Sequence, residues 1–90
     1  MTALFALGQV VATPGALDLL ARAGANPVSF LVRHVTGDWG SIDPEDRGLN
    51  ERAVRSGQRV FSVYHVGGET VWVITEADRS ATTILLPADY

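Results

Sequence analysis

Residues 59–86 read RVFSVYHVGGETVWVITEADRSATTILL, and this stretch decides the fold. β-branched and aromatic residues dominate it, as is typical of strands. Gly67-Gly68 favours a two-residue hairpin turn, and the polar segment Glu76–Ser80 favours a second turn. The stretch therefore predicts three antiparallel strands, over Arg59–Val66, Thr70–Thr75 and Ala81–Leu86.

Three helix starts of one kind precede this stretch. Each is a capping side chain followed by proline, at Thr13-Pro14, Asn26-Pro27 and Asp43-Pro44. Glycines at positions 24, 37 and 57 are typical helix ends, and the apolar segment Leu4–Ala12 favours a further strand. We therefore expect an α+β fold in a single domain, residues 1–90, with three short N-terminal helices packed on a three- to four-stranded antiparallel sheet.

Apolar spacing predicts which helix faces are buried. Leu17, Leu20 and Ala21 are expected to lie on the buried face of the first helix. In the second helix, a buried stripe is expected at Val28, Leu31, Val32 and Val35. Phe30 and His34 then lie together on the opposite side. Trp72, central in the second predicted strand, is expected in the core.

Composition argues against several function classes. The chain has 90 residues, a formal net charge of −3 and no Cys. The lack of Cys excludes disulfides, zinc sites built on Cys and thiol nucleophiles, and the charge argues against a strongly basic nucleic-acid binder. We expect a cytoplasmic protein that is not an enzyme, has no cofactor or metal, and contacts neither nucleic acid nor membrane directly.

Two segments still carry candidate chemistry. His34 and Asp38 could join Glu76 or Asp78 in a metal site, although a histidine hydrogen-bonded near a helix end explains the same pattern. In Gly-Asp-Trp-Gly, residues 37–40, the indole of Trp39 is either a recognition anchor or a plug at the core edge.

Arginines gather along the third predicted helix and just beyond it. They are Arg47, Arg52, Arg55 and Arg59. They form either a phosphate-contacting patch or a set that complements the helix dipole and pairs with nearby acids.

Several segments together resemble a group of small bacterial proteins. They are Gly8–Leu17, Leu31–Gly40, the Glu-Ala-Asp-Arg-Ser of 76–80, the Thr-Thr-Ile-Leu-Leu-Pro of 82–87, and the final Asp89-Tyr90. The group is carried by plasmids, phages and integrative elements. Its members are usually labelled "plasmid-related protein" or loosely attached to type I restriction–modification subunits. The resemblance covers nearly the whole chain, and it transfers no catalytic residue.

The resemblance implies a mobile-element setting, in which small acidic proteins often inhibit host defence. We therefore expect a protein that binds and inhibits a CRISPR or restriction effector. The alternative is a self-associating accessory or regulatory domain for element maintenance, with a homodimer formed through an exposed strand. The expected partner contacts are Phe30, Arg33, His34, Asp38, Trp39, Glu76, Asp78 and Arg79.

Overall fold

Four strands form one mixed sheet in the order β1-β4-β3-β2. The structure, a computed structural model, describes residues 2–90. The strands are β1 (Gln9–Ala12), β2 (Val60–Val66), β3 (Glu69–Thr75) and β4 (Ala81–Leu85). The predicted antiparallel meander of β2, β3 and β4 is confirmed.

The prediction of a wholly antiparallel sheet is wrong at β1, which pairs with β4 in parallel. The segment between β1 and β2 is a helical crossover that returns the chain to the same end of the sheet before β2 begins. Such a connection leaves β2 parallel in direction to β1, and β4, two strands later, runs the same way. The predicted strand over Leu4–Ala12 is also shortened to Gln9–Ala12.

Three helices lie in this crossover, and they begin where the capping signals predicted. They are α1 (Pro14–Arg22), α2 (Pro27–Val35) and α3 (Pro44–Ser56). The side chains of Thr13, Asn26 and Asp43 each accept a hydrogen bond from a backbone N–H in the first turn. The predicted helix starts are therefore confirmed, together with their physical cause.

The predicted buried faces of α1 and α2 are correct only in part, since Leu20 is buried and Leu31 packs partly buried against the core. In α2, Phe30 and His34 are buried, whereas Val28 and Val32 are 56% and 38% exposed. Phe30 packs 5.4 Å from the ring of Tyr64 on the sheet, and His34 lies among sheet hydroxyls. The sheet therefore selects the aromatic face of α2 over the valine face.

The same kind of error occurs in α1. Leu20 is buried as expected, but Leu17 and Ala21, also expected to be buried, are exposed, and Ala16 and Leu19 lie in the core instead. All three helices pack against one face of the sheet, which we call the inner face. Among residues 2–90, no α-helix lies over the opposite face, called the outer face, which is reached only by a short 3-10 turn at Pro87–Asp89.

Candidate interaction surface

Three of the eight expected partner contacts are not on the surface. Phe30 and His34 lie beneath α2, and Trp39 is packed with Ala53 and Val60 in a second core cluster. The choice between anchor and plug for Trp39 is therefore decided in favour of the plug. These three side chains shape the protein from within, because α2 turns them toward the sheet.

His34 is the centre of a buried chain of hydrogen bonds. Its Nδ1 lies 2.6 Å from the Ser62 hydroxyl and its Nε2 lies 2.9 Å from the Thr75 hydroxyl. The Thr75 hydroxyl lies 2.7 Å from that of Thr82, which donates to the carbonyl of Leu7 at 2.7 Å. This chain of hydrogen bonds crosses the inner face and connects the segment before β1 to β4.

The number of protons available fixes which group donates in each hydrogen bond of this network. The Thr82 hydroxyl donates its only proton to the Leu7 carbonyl. It can therefore only accept in its hydrogen bond with Thr75, so Thr75 must be the donor. The Thr75 oxygen then accepts from His34 Nε2–H, and Nδ1 accepts from Ser62. The network thus assigns the neutral Nε2–H tautomer to His34.

The environment of His34 favours its neutral form. Burial lowers its pKa to about 4, and the positive charge of Arg79 acts in the same direction. Both ring nitrogens have core partners, so neither is presented to a ligand at the surface. The expected role of His34 as a partner contact is therefore corrected to a structural one, and its two hydrogen bonds fit the alternative of a histidine held near a helix end.

Arg33 and Asp38 remain exposed, and they pair with each other. Arg33 Nε donates to Asp38 at 2.7 Å, which lowers the pKa of that carboxyl. The Arg33 guanidinium also lies 4.4 Å from the centre of the Tyr64 ring. Tyr64 in turn donates to the Asp38 backbone carbonyl at 2.7 Å, and burial raises its pKa to about 12. The pair therefore clamps the loop after α2 onto the sheet.

Arg79 holds the turn between β3 and β4 rather than projecting from it. Its guanidinium donates to the backbone carbonyls of Ala53, Gln58 and Glu76, at distances of 2.6–3.2 Å. Asp78 is exposed and accepts from the Ser80 backbone N–H. Among residues 2–90, Arg79 forms no ion pair with an acidic side chain, because its guanidinium is occupied by main-chain oxygens.

The eight expected contacts do not form one continuous surface. Phe5, which the sequence reading placed in a strand, lies between them, with its ring 5.2 Å from His34 and 5.3 Å from the Arg79 guanidinium. In the part of the chain that the structure describes, His, Asp and Glu side chains do not gather into a group of three that could hold a metal.

The outer face of the sheet carries a group of partly exposed aromatic side chains. Cross-strand register places Phe61 opposite Ile74, and Trp72 opposite both Val63 and Leu85. The rings of Phe61 and Trp72 meet edge to face at 5.1 Å. The prediction that Trp72 lies in the core is therefore wrong, since it is only half-buried, on the outer face.

A short 3-10 turn after β4 brings Tyr90 to this face. The turn, Pro87–Asp89, is held by the Asp89 carboxylate, which accepts from the Thr13 hydroxyl at 2.6 Å and from the Leu86 N–H. The Tyr90 ring then lies 5.7 Å from that of Trp72.

Phe61, Trp72 and Tyr90 line a groove of about 280 Å³, together with Ile74 and Arg59. We call this the aromatic groove. Arg59 donates to the Tyr90 hydroxyl at 2.8 Å, so a guanidinium marks one end of an otherwise apolar surface. Such a combination of ring faces and a cation is typical of binding hot spots.

A second groove of about 390 Å³ begins at the neighbouring residue, Gln58, and is lined also by Arg52, Arg55 and Ser56. Among residues 2–90, no carboxylate lies within 4.0 Å of Arg52, Arg55 or Arg59. The predicted pairing of these arginines with nearby acids is therefore not observed. The two grooves are lined by different residues: the aromatic groove is mostly apolar, and the second groove carries the positive charges of Arg52 and Arg55.

The sequence analysis missed the aromatic groove, although a signal for it was present. Both alternating sets of β3 side chains are apolar, with Val71 and Val73 on one face and Trp72 and Ile74 on the other. The three helices cover only one face of the sheet, so the other apolar set is left to the outer face, where Trp72 stays partly exposed although Ile74 is buried.

Comparisons with known proteins do not assign the chain to a family. No protein-family model, no curated protein and no solved structure matches the chain. Within residues 2–90, none of the helices combines the length and the apolar character that crossing a membrane requires.

Proposed function

We propose that this protein acts by docking onto a larger protein, with the aromatic groove as its main contact, and that it does not turn over a substrate. The observation that carries the proposal is the group formed by Phe61, Trp72 and Tyr90 on the outer face of the sheet. Tryptophan, tyrosine and arginine are enriched among residues that dominate binding energy, and Arg59 completes this set.

The charge around the groove indicates the chemistry of the partner. Within residues 2–90, Arg52, Arg55 and Arg59 lack carboxylate partners, while the chain as a whole carries a net charge of −3. A partner surface with an apolar side chain for the groove and acidic residues beside it would complement both features. A strongly acidic partner surface without such an anchor would be repelled by the rest of the molecule.

We assign this partner to the protein subunits of a host defence complex, of the CRISPR or restriction type. The assignment depends on the resemblance to proteins of mobile elements, and the groove supplies a contact surface for it. The protein would then inhibit by occupying a surface on the effector, in a fixed stoichiometry.

The test is protection of phage or plasmid DNA in cells that carry a defined CRISPR or restriction system. The native protein is expected to restore plaque formation. The double variant Trp72→Ala, Tyr90→Ala is expected to fall to the level of the empty vector, and to weaken effector binding by at least about 30-fold. Val28→Ala, at an exposed position on α2, is the matched control and should keep full protection.

The proposal fails if the native protein neither protects DNA nor binds any purified effector. It also fails if the double variant, folded by circular dichroism, protects as well as the native protein. In the second case inhibition would stand but the contact surface would be wrong.

Self-association, in an accessory role for element maintenance, is a second candidate function. The observation that favours it is the free edge of β1, where backbone groups of a short strand face solvent. This candidate uses a different part of the molecule from the aromatic groove, so the two can be tested separately.

A further inference from the structure

The two edge strands of the sheet are treated differently. On β2, the backbone of Val63 is bonded to the loop after α2, with its N–H to the Trp39 carbonyl at 3.0 Å and its carbonyl to the Ser41 N–H at 2.8 Å. The backbone of Phe61 is bonded by the side chain of Asn50, which accepts at 3.0 Å and donates at 2.6 Å. The edge of β2 that faces away from β3 is therefore hydrogen-bonded over most of its length.

Among the described residues, the edge of β1 that faces away from β4 has no neighbouring strand. The N–H groups of Gln9 and Thr13 donate to carbonyls of Ser80 and Ile84, so the odd-numbered residues of β1 direct their backbone groups toward β4. Because direction alternates along a strand, Val10 and Ala12 direct theirs away. Within residues 2–90 these outward groups have no backbone or side-chain partner.

Nothing in β1 prevents pairing with another strand. Its sequence, Gln-Val-Val-Ala, contains no charge and no proline, the residues that natural proteins use to block an edge. Val10 and Val11 are 43% and 42% exposed. Because the strand is neutral, a second copy can approach it without local charge repulsion, although each chain is acidic overall.

We propose that the open edge of β1 pairs with β1 of a second copy, antiparallel, about a two-fold axis at Val11. This inference rests on the second candidate function, self-association, and specifies its geometry. Val10 then lies opposite Ala12 of the second copy, and the two residues exchange both of their backbone hydrogen bonds. By symmetry, every outward N–H and C=O of Val10 and Ala12 finds a partner.

A register centred on Val10 is less favourable. It would place Ala12 opposite Gly8 of the second copy, and Gly8 has a φ of 64°, outside strand geometry. The register centred on Val11 uses only strand residues, and it brings the two Val11 side chains together as a close, non-hydrogen-bonded pair.

The resulting dimer has one continuous sheet, in which β1 lies at the centre and β2 at both ends. The two aromatic grooves lie on β2 and β3, away from the two-fold axis, and both stay accessible. Two four-residue strands bury far less than the roughly 800 Å² per partner of a standard interface. Association is therefore expected to be weak and dependent on concentration.

Disulfide trapping tests this register, since the native chain has no Cys. In Val11→Cys, the two thiols would face each other across a non-hydrogen-bonded pair, with Cα atoms about 4.5 Å apart, within disulfide range. In the matched control Gln9→Cys, the two cysteines would be roughly 13 Å apart along the strands, which is too far. Mild oxidation should therefore cross-link the first variant and leave the second monomeric.

A third variant, Val10→Pro, removes one outward N–H without removing a bond to β4, and proline is tolerated at such an edge. Sedimentation should show a concentration-dependent dimer for the native protein and a monomer for this variant, with circular dichroism confirming that it is folded. Equal cross-linking of Val11→Cys and Gln9→Cys would overturn the register.

The outcomes separate the register from self-association itself. A native dimer that persists in Val10→Pro, with no cross-link in Val11→Cys, would overturn pairing through β1 but leave self-association standing. A native protein that stays monomeric at millimolar concentration, with no cross-link in Val11→Cys, would overturn both. Neither result would bear on docking through the aromatic groove, which Trp72 and Tyr90 test.

Discussion

The two tryptophans show how differently the two faces of the sheet are built. Trp39 is 3% exposed and is packed beside α3 on the helix side, with its ring 6.1 Å from His34. Trp72 lies on the outer face and contacts two other rings, while one side of it meets solvent. The helices close over the inner face, whereas the outer face keeps part of its apolar surface exposed, and this is the surface that we propose for docking.

The largest expected effect is a difference in stability between the alanine variants of the two tryptophans. Trp39→Ala should lower the free energy of unfolding by about 3–5 kcal/mol, because it removes a fully buried indole and leaves a cavity. Trp72→Ala should cost less, about 1–2 kcal/mol, since that side chain is partly exposed to water in the native protein. Urea unfolding followed by far-UV circular dichroism measures both values.

Trp39→Phe serves as a milder variant if Trp39→Ala does not fold, and it should fall between the native protein and the alanine variant. Equal losses at Trp39 and Trp72 would mean that the two faces contribute equally to stability. The contrast on which the docking proposal depends would then be lost.

Sequence patterns located the elements of this fold well, for a local reason. The Thr-Pro, Asn-Pro and Asp-Pro starts act within one helical turn, so they can be read without knowing what the helix packs against. The same holds for the strands of the meander. Each of these signals was correct because both its cause and its effect lie within a few residues.

Patterns failed where a choice depended on distant residues. In α2, Val28 with Val32 and Phe30 with His34 are equally good stripes at helical spacing. Only the sheet, with the hydroxyls of Ser62 and Thr75 on its inner face, decides between them. The parallel pairing of β1 has the same character, because it depends on the path of the whole crossover.

The sequence indicated the aromatic groove only in part. Alternation in β2 and β3 indicated two apolar faces, but the choice of the face that α1, α2 and α3 would cover required the complete fold. The position of Tyr90 depends further on the contact of Asp89 with Thr13, two residues that are far apart in the sequence.

The next largest effect is a dependence of stability on pH that originates on the inner face. The pKa of His34 is about 4 in the folded protein and near 6.5 when unfolded, so between these values the unfolded state binds more protons. Stability is therefore expected to be constant above pH 6.5 and to fall as the pH drops toward 4. The loss should reach about 3 kcal/mol in total.

Urea midpoints measured between pH 7.5 and 4 test this. His34→Gln should lack the decline, whereas His65→Gln, a variant at an exposed strand position, should keep it. The pKa values of Asp38 and Asp89 are lowered in the folded state, so their contributions are lost only at still lower pH, below their ordinary values. A native protein whose stability is unchanged from pH 6.5 to 4 would contradict the neutral, hydrogen-bonded imidazole.

The smallest expected effect compares two neighbouring threonines on β4 that face opposite sides. Thr82 is fully buried on the inner face, where it accepts from Thr75 and donates to Leu7. Thr82→Val keeps the side-chain shape but leaves the Leu7 carbonyl without this donor and the Thr75 hydroxyl without its acceptor. The expected loss is about 1–3 kcal/mol, the cost of buried polar groups without partners.

Thr83→Val, one residue along on the half-buried outer face, is the matched control and should change stability by no more than about 0.5 kcal/mol. A further consequence follows from the direction of the hydrogen-bond chain. If Thr82→Val removes the acceptor of the Thr75 proton, Thr75 can turn its hydroxyl toward His34, and the imidazole can then shift to its Nδ1–H tautomer. Nitrogen-15 chemical shifts of the His34 ring report this change. An unchanged Nε2–H tautomer together with an unchanged stability would show that the buried chain does not act as one directed unit.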